Sequence, residues 1–183
     1  MTMQLALSEE GFSAAYCGRF NPMHIGHEAV TNEMLRLFGP AKSRLIVGSA
    51  NTSQSLRHFF SYEERREIIK TVFPGIMVMP LGDFVSSDDE WMVALDDLLV
   101  SSGMNPDKTV FFGGCEEDII FFLKRNRKCH ILNRFDGTTP KVSATEVRDS
   151  LIHDRSMNTF LNPLVEEKVR SLFKVKWMDF QKK

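Results

Sequence analysis

A chain of 183 residues, 43% hydrophobic and 26% charged, has the size and balance of one soluble α/β domain able to bury about two-thirds of its unfolded surface. Its formal charge of -1 argues against bulk attraction to nucleic acid or an anionic membrane, so any anion site must be assembled locally from individual side chains and helix ends. Cys17, Cys115 and Cys129 are an odd number without CxxC spacing, which predicts neither a disulfide framework nor a zinc knuckle and fits a reducing, cytoplasmic setting. Acidic Glu9 and Glu10 near the start, and no run of about 18 apolar residues, predict neither an export signal nor a membrane span. Residues 1–11 read as an N-terminal extension and 12–183 as a single domain.

The apolar run Phe12 to Cys17 stops at Gly18 and gives way, after Pro22, to the amphipathic stretch Gly26 to Phe38: strand, turn, helix. Arg44 to Ala50 predicts a second buried strand. Ser61, with Glu64 three residues on, caps a helix through about Val72. Ile76 to Leu81 is a third apolar run, Ser87 to Leu99 a helix with acids in its first turn, and Thr109 to Phe112 a strand ending at Gly113-Gly114. A short helix from Glu116 to Leu123 precedes a fifth strand, Cys129 to Leu132. Ser143 opens a helix that ends near Ile152, and Pro163 starts the last one, to about Phe173. Short apolar strands alternating with helices predict an α/β fold: a doubly wound, parallel five-stranded sheet with helices on both faces and a C-terminal helix. In such sheets ligands bind beyond the carboxyl ends of the strands.

The first strand-to-helix turn lies at that edge and reads GRFNPMHIGH, Gly18 to His27. Gly18 lets the backbone approach a ligand, Pro22 fixes the loop, and His24 and His27 project from the opening of a helix. A helix N-terminus carries unpaired N–H groups and partial positive charge, and imidazole donors beside it can follow negative charge developing on phosphoryl oxygens. Two histidines can also ligate a metal, but the loop has no Cys, Asp or Glu to complete the set. A plain helix-capping loop is the remaining reading.

GRFNPMHIGH resembles the GxFxPxHxGH signature of the HxGH nucleotidyltransferase superfamily, and VSATEVR, Val142 to Arg148, resembles its ISSTxxR signature. The resemblance implies a Rossmann-like fold in which Ser143, Thr145 and Arg148 hold a triphosphate at a helix start. The Arg148 fork, one turn along from two hydroxyls, suits phosphate oxygens. Ser143 with Glu146 also reads as a capping box, compatible with either role.

Within the superfamily the chain is most similar, after Gly11, to nicotinamide-nucleotide adenylyltransferases of the archaeal and phage type. The segment from Gly48 to Ile69 matches that family at Gly48, Ser49, Phe60, Ser61, Glu64 and Arg65. LGDFVSSDDEW resembles the stretch that carries the nicotinamide pocket, with Asp83 and Trp91 in place. An indole face can stack on a pyridinium ring, so Trp91 is the expected specificity residue. Phe111 to Gly114 resembles the strand end against which adenosine lies, bringing in Gly113 and Gly114, and Asn133-Arg134 matches a pair ahead of the second signature. The chain departs from the family at Asn21, at His58-Phe59, where Asn-Pro is usual, and at Gly114-Cys115. It has no RTxGIST segment of cytidylyltransferases, and Arg148 replaces the Lys of pantetheine-phosphate adenylyltransferases.

The resemblance implies in-line attack of the 5′-phosphate of nicotinamide mononucleotide on the α-phosphorus of ATP, with Mg²⁺ on the triphosphate as the cofactor. His24, His27 and Arg148 are the catalytic candidates. Gly18, Arg19, Phe20 and Asn21 join the residues above in binding substrate, and no protein-held metal is expected. Neither nucleic acid nor membrane is an expected partner, while family members often assemble as homo-oligomers. His130 and His153 read as structural or solvated, and His58 sits in a loop able to close over ATP. The basic run Lys124 to Lys128 reads as a solvated helix end.

Overall fold

The computed structural model describes residues 11–52, 55–83, 87–132 and 140–182; the extension up to Glu10, Asn133 and Arg134 lie outside them. Five strands, β1 (Ser13–Gly18), β2 (Ser43–Val47), β3 (Met77–Pro80), β4 (Thr109–Gly113) and β5 (Lys128–Ile131), alternate with helices α1 (Ile25–Phe38), α2 (Tyr62–Val72), α3 (Asp88–Ser101), α4 (Glu116–Leu123), α5 (Ala144–Ile152) and α6 (Pro163–Phe180). The sheet order is β3-β2-β1-β4-β5 and every described pairing is parallel. The chain winds outward from β1 through β2 to β3, then returns to pair β4 on the other side. The crevice between β1 and β4 is therefore the topological switch point where such sheets bind ligands.

The period-2 alternation of β1 divides the core. Ala14 and Tyr16 face a layer that contains Val30 and Met34 of α1, Ile68 and Ile69 of α2, Val147 and Leu151 of α5 and Val165 and Val169 of α6. Ala15, with Ile46 and Phe111 beside it, faces Met92, Leu95 and Leu99 of α3 and Phe122 of α4. Both faces of β1 are sealed, which is why its strand reads as a continuous apolar run. Each fully buried Leu, Ile or Val contributes about 1.5–3 kcal/mol.

The helix starts follow local chemistry. Ser61 and Glu64 form the expected capping box on α2, Ser143 and Glu146 the one on α5, and Ser87 caps α3. Two boundaries differ from expectation by more than two residues. β2 ends at Val47 rather than Ala50, because Ser49 takes a positive φ of 50° and turns the chain out of the sheet. α6 runs on to Phe180, past the expected end at Phe173, because Phe173 and Trp177 stack, Trp177 and Phe180 stack, and Phe59 packs against all three. Aromatic packing at helical spacing prolongs a helix that composition alone would let fray. The short 3-10 turns Pro40–Lys42 and Pro106–Lys108 have no counterpart among the expected elements.

The basic run 124–128 is engaged within the chain. Arg125 pairs with Asp89 and lies over the Phe121 ring, Arg127 pairs with Asp96 and Asp107, and Lys128 sits 3.9 Å from the Phe12 ring centre. His130 packs on Phe112 and faces Glu33, while His153 contacts the Asp149 carbonyl.

Candidate active site

At the carboxyl edge of β1 opens a cleft of about 1130 Å³. Gly18, Arg19, Phe20, Asn21, His24, His27, Asp83, Trp91, Ser143, Thr145 and Arg148 all line it, so one cavity gathers most of the residues singled out from sequence. Gly113 and Gly114 do not line it. A Cβ on Gly113 would fall 2.5 Å from Ile119 Cγ2, and the Gly114 N–H donates to Asp118 at 3.0 Å. Gly113 lets α4 pack closely against the end of β4, which is a reason for glycine there independent of any ligand.

The β1–α1 turn is built tightly. Phe20 adopts a positive φ of 47° and folds its ring back to where a Cβ on Gly18 would stand, 2.9 Å from Phe20 Cζ. Asn21, only 1% exposed, uses its whole amide on Phe60: Nδ2 donates to the carbonyl at 3.3 Å and Oδ1 accepts the N–H at 3.0 Å. Its side chain therefore ties two loops together, and it is the Asn21 carbonyl that meets another cleft residue, accepting from Arg148 at 2.7 Å.

His24 and His27 cap α1 reciprocally. The His27 N–H donates to His24 Nδ1 at 3.4 Å and the His24 N–H to His27 Nδ1 at 3.3 Å. A ring nitrogen that accepts a backbone proton cannot carry one, so each neutral imidazole holds its proton on Nε2. The two rings stack at 3.6 Å between centres, and the edge of Phe20 steadies His27 at 4.9 Å. The capping reading of this turn is thus met, each Nδ1 closing the start of α1, and the cap itself uses neither Nε2. A Cβ on Gly26 would lie 3.1 Å from His24 Nδ1 and 3.3 Å from the Pro140 carbonyl, which explains the glycine between the histidines.

Beneath the cleft lies Arg65, fully buried. Its guanidinium donates to the carbonyls of Ser61 (3.2 Å), Arg19 (2.9 Å), Gly48 (2.8 Å) and Ser49 (3.0 Å), joining α2, the β1–α1 turn and the end of β2. The Ser49 hydroxyl then donates to Asp83 at 3.0 Å, and the Asn51 side-chain amide clasps the Asp83 backbone at both its N–H and its carbonyl. Asp83 is in this way held at the rim next to a group of cations. Arg19 has its pKa lowered by burial and by Arg57 and raised by Asp83, while that of Arg148 is lowered by burial and by Arg19 and Arg57. Guanidinium groups remain charged throughout, so these shifts record burial and repulsion among like charges held around one space.

On α5, Arg148 also reaches the Thr145 hydroxyl at 3.2 Å. The Ser143 hydroxyl is engaged in the cap, accepting from the Glu146 N–H and donating to its carboxylate. Helix α5 nonetheless presents Ser143, Ala144 and Thr145 to the cleft, so the N-termini of α1 and α5 both border it. At the opposite end stands half-buried Trp91, edge-on to Phe121 at 5.4 Å, with Phe122, Asp88 and Asp118 also lining the wall. Among the described residues no cluster of His, Cys, Asp or Glu is placed to hold a metal ion.

Arg57 is not among the residues singled out from sequence, Arg65 is matched there only as part of the family segment, and His58 only as lying in a loop able to close over ATP. Arg57 and His58 line the cleft and Arg65 anchors three of its walls. The sequence signal for Arg65 is an arginine inside a helix that follows a strand-ending Gly-Ser, but nothing local says that its side chain points inward.

Residues 15–89, from β1 to the start of α3, match the family model described as Cytidylyltransferase-like. A 74-residue stretch is 32% identical to the phosphopantetheine adenylyltransferase of Kocuria rhizophila, covering 39% of this chain and 44% of that protein. The bifunctional NMN adenylyltransferase/ADP ribose pyrophosphatase of Francisella tularensis superposes with a TM-score of 0.71 at 17% identity, over 89% of this chain and 52% of that one. The NadR protein in complex with NAD and AMP-PNP superposes with a TM-score of 0.60 at 22% identity, over 85% of this chain and 46% of that one. This chain therefore spans about half the length of these three proteins. The Rossmann-like fold is shared with both solved structures, and the first signature segment lies inside the family match.

Proposed function

We propose that this chain is an adenylyltransferase that joins the 5′-phosphate of nicotinamide mononucleotide to the α-phosphorus of MgATP, giving NAD and pyrophosphate. The observation that carries the reading is the imidazole pair, locked through Nδ1 so that both Nε2 atoms are donors, in one cleft with Arg148, Arg19 and Arg57. The acceptor phosphate needs no general base, because its oxygen is already anionic. As that oxygen bonds to the α-phosphorus, the bond to the bridging oxygen breaks and pyrophosphate leaves with its Mg²⁺. Extra negative charge on the equatorial oxygens is met by Nε2–H donors, guanidinium forks and the two helix N-termini. Holding two polyanions in line supplies most of the remaining rate. The Trp91 wall accepts the acceptor's flat ring, and Asp88 and Asp118 beside it suit a cationic pyridinium.

A second acceptor, phosphopantetheine, is favoured by the 32% identity to the Kocuria enzyme. The discriminating experiment is pyrophosphate release from MgATP with nicotinamide mononucleotide, nicotinate mononucleotide, flavin mononucleotide, phosphopantetheine or glycerol phosphate, with His24→Ala as the control. Release with nicotinamide mononucleotide alone, lost in the control, is the expected result. Release only with phosphopantetheine transfers the reading to that acceptor, and no release with any member of the panel overturns it.

A further inference from the structure

Among the groups lining the cleft, His58 has no part in the mechanism above. Its backbone N–H and its Nδ1 both meet the Ser55 hydroxyl, at 3.1 and 3.2 Å, so the ring is tethered in one orientation at the rim of the cleft. The loop that carries it is itself pinned. Asn21 grips Phe60 on one side, and on the other α6 holds Phe59 through the stacked Phe173 ring and through Lys176, whose ammonium donates to the Phe59 carbonyl while pairing with Glu64.

We propose that His58 is a phosphate-contacting residue of this cleft and a proton-linked one, its ring taking up a proton as a polyphosphate binds. The inference rests on the adenylyltransferase reading of the same cleft. In the free protein His58 lines the cleft together with Arg19 from the β1–α1 turn and Arg57 from its own loop, and Arg65 of α2 bonds the Arg19 carbonyl beneath them. Asp83, after β3, is the one acid among the described residues that acts on the His58 ring. Arg148 of α5, on the same cleft lining, completes the cationic group. Burial and these neighbours hold the imidazole below its ordinary pKa of 6.5, with Asp83 opposing them, so at neutral pH the ring is uncharged.

A triphosphate among the same arginines reverses the local field. It cancels the cations that repel a second positive charge, and it offers oxygens to an imidazolium. The bound-state pKa must then lie above the free-state one, and by linkage the proton gained on binding appears as tighter binding when pH falls. Affinity rises as pH drops through the bound-state value, by at most about tenfold per pH unit, and levels off below the free-state value. Tethering by Ser55 limits what the ring loses in freedom when it docks.

The test is calorimetric titration of the full chain with MgATP at pH 7 in buffers of different ionisation enthalpy, for wild type and His58→Gln. Subtracting the proton count of His58→Gln removes what the nucleotide and the other histidines contribute. The wild type is expected to take up more protons per nucleotide than His58→Gln, and its MgATP affinity to rise more steeply as pH falls. Equal proton uptake in two proteins that both bind MgATP overturns the proposal and leaves the adenylyltransferase reading standing. A substitution that merely loosens the loop weakens binding by one factor at every pH, which also overturns it. Failure of the wild type itself to bind MgATP defeats the adenylyltransferase reading, and this inference with it.

Discussion

The histidine pair depends on a residue that does no chemistry. Gly26 leaves room for the His24 ring against the Pro140 carbonyl, and a methyl group there must displace one or the other. Gly26→Ala is therefore expected to cost about 1–3 kcal/mol of overpacking strain and to lower turnover by tilting His24, measured by thermal melting and pyrophosphate release. His24→Ala and His27→Ala should each lower turnover by about 10² or more, the size of losing one oxyanion-type donor. Because each imidazole also caps α1, each substitution should cost about 1 kcal/mol of stability, read as a lower melting temperature. Turnover within a few-fold of wild type in both would remove the histidines from the reaction. Arg65 makes a third case at this scale. Its planar fork serves four carbonyls from three segments, which a lysine ammonium cannot reach together, so Arg65→Lys should lose about 3 kcal/mol or more of stability and weaken MgATP binding.

Among the elements, the last turns of α6 hold the loop that carries Arg57 and His58. Phe59 stacks on Phe173 at 4.6 Å and touches Trp177 and Phe180, so the last helix braces one wall of the cleft. Trp177→Ala is expected to cost about 2 kcal/mol, lowering the melting temperature by about 4–8 °C, and to raise the KM for ATP more than it lowers kcat. A kcat loss with unchanged KM would place the effect elsewhere. Trp91 on α3 also lines the cleft. Trp91→Ala should raise the KM for the nucleotide acceptor by about tenfold while leaving that for ATP nearly unchanged, since stacking there contributes up to about 2 kcal/mol. Helix starts, by contrast, are settled by side chains within one turn: Ser61 with Glu64, Ser143 with Glu146 and Ser87 with Glu90 fix where α2, α5 and α3 begin.

At the scale of the whole molecule, a net charge of -1 coexists with Arg19, Arg57, Arg65 and Arg148 collected around one cleft. Attraction of polyanions is thus focused at a single place rather than spread over the surface. Raising salt from about 0.05 to 0.5 M shortens the screening length to a few ångströms and should weaken MgATP binding several-fold, with little change in melting temperature. A salt-insensitive KM would deny the arginines this part.

The sequence by itself determined the alternation of strands and helices, most helix starts and the two signature segments, because periodicity, caps and the HxGH turn are written in residues within one or two turns of each other. Most of the residues it singled out come to line one cleft, because they lie in or beside those same short segments. The joining of those segments is different in kind. Arg148 meets the Asn21 carbonyl across 127 positions, and Arg65 reaches Arg19 across 46. The extra turns of α6 exist only because Phe59 lies beneath them, and Gly113 is a glycine because α4 packs there. Contacts between remote segments are fixed by packing around the sheet, and only the tertiary structure decides which charged side chains the core turns inward toward the cleft.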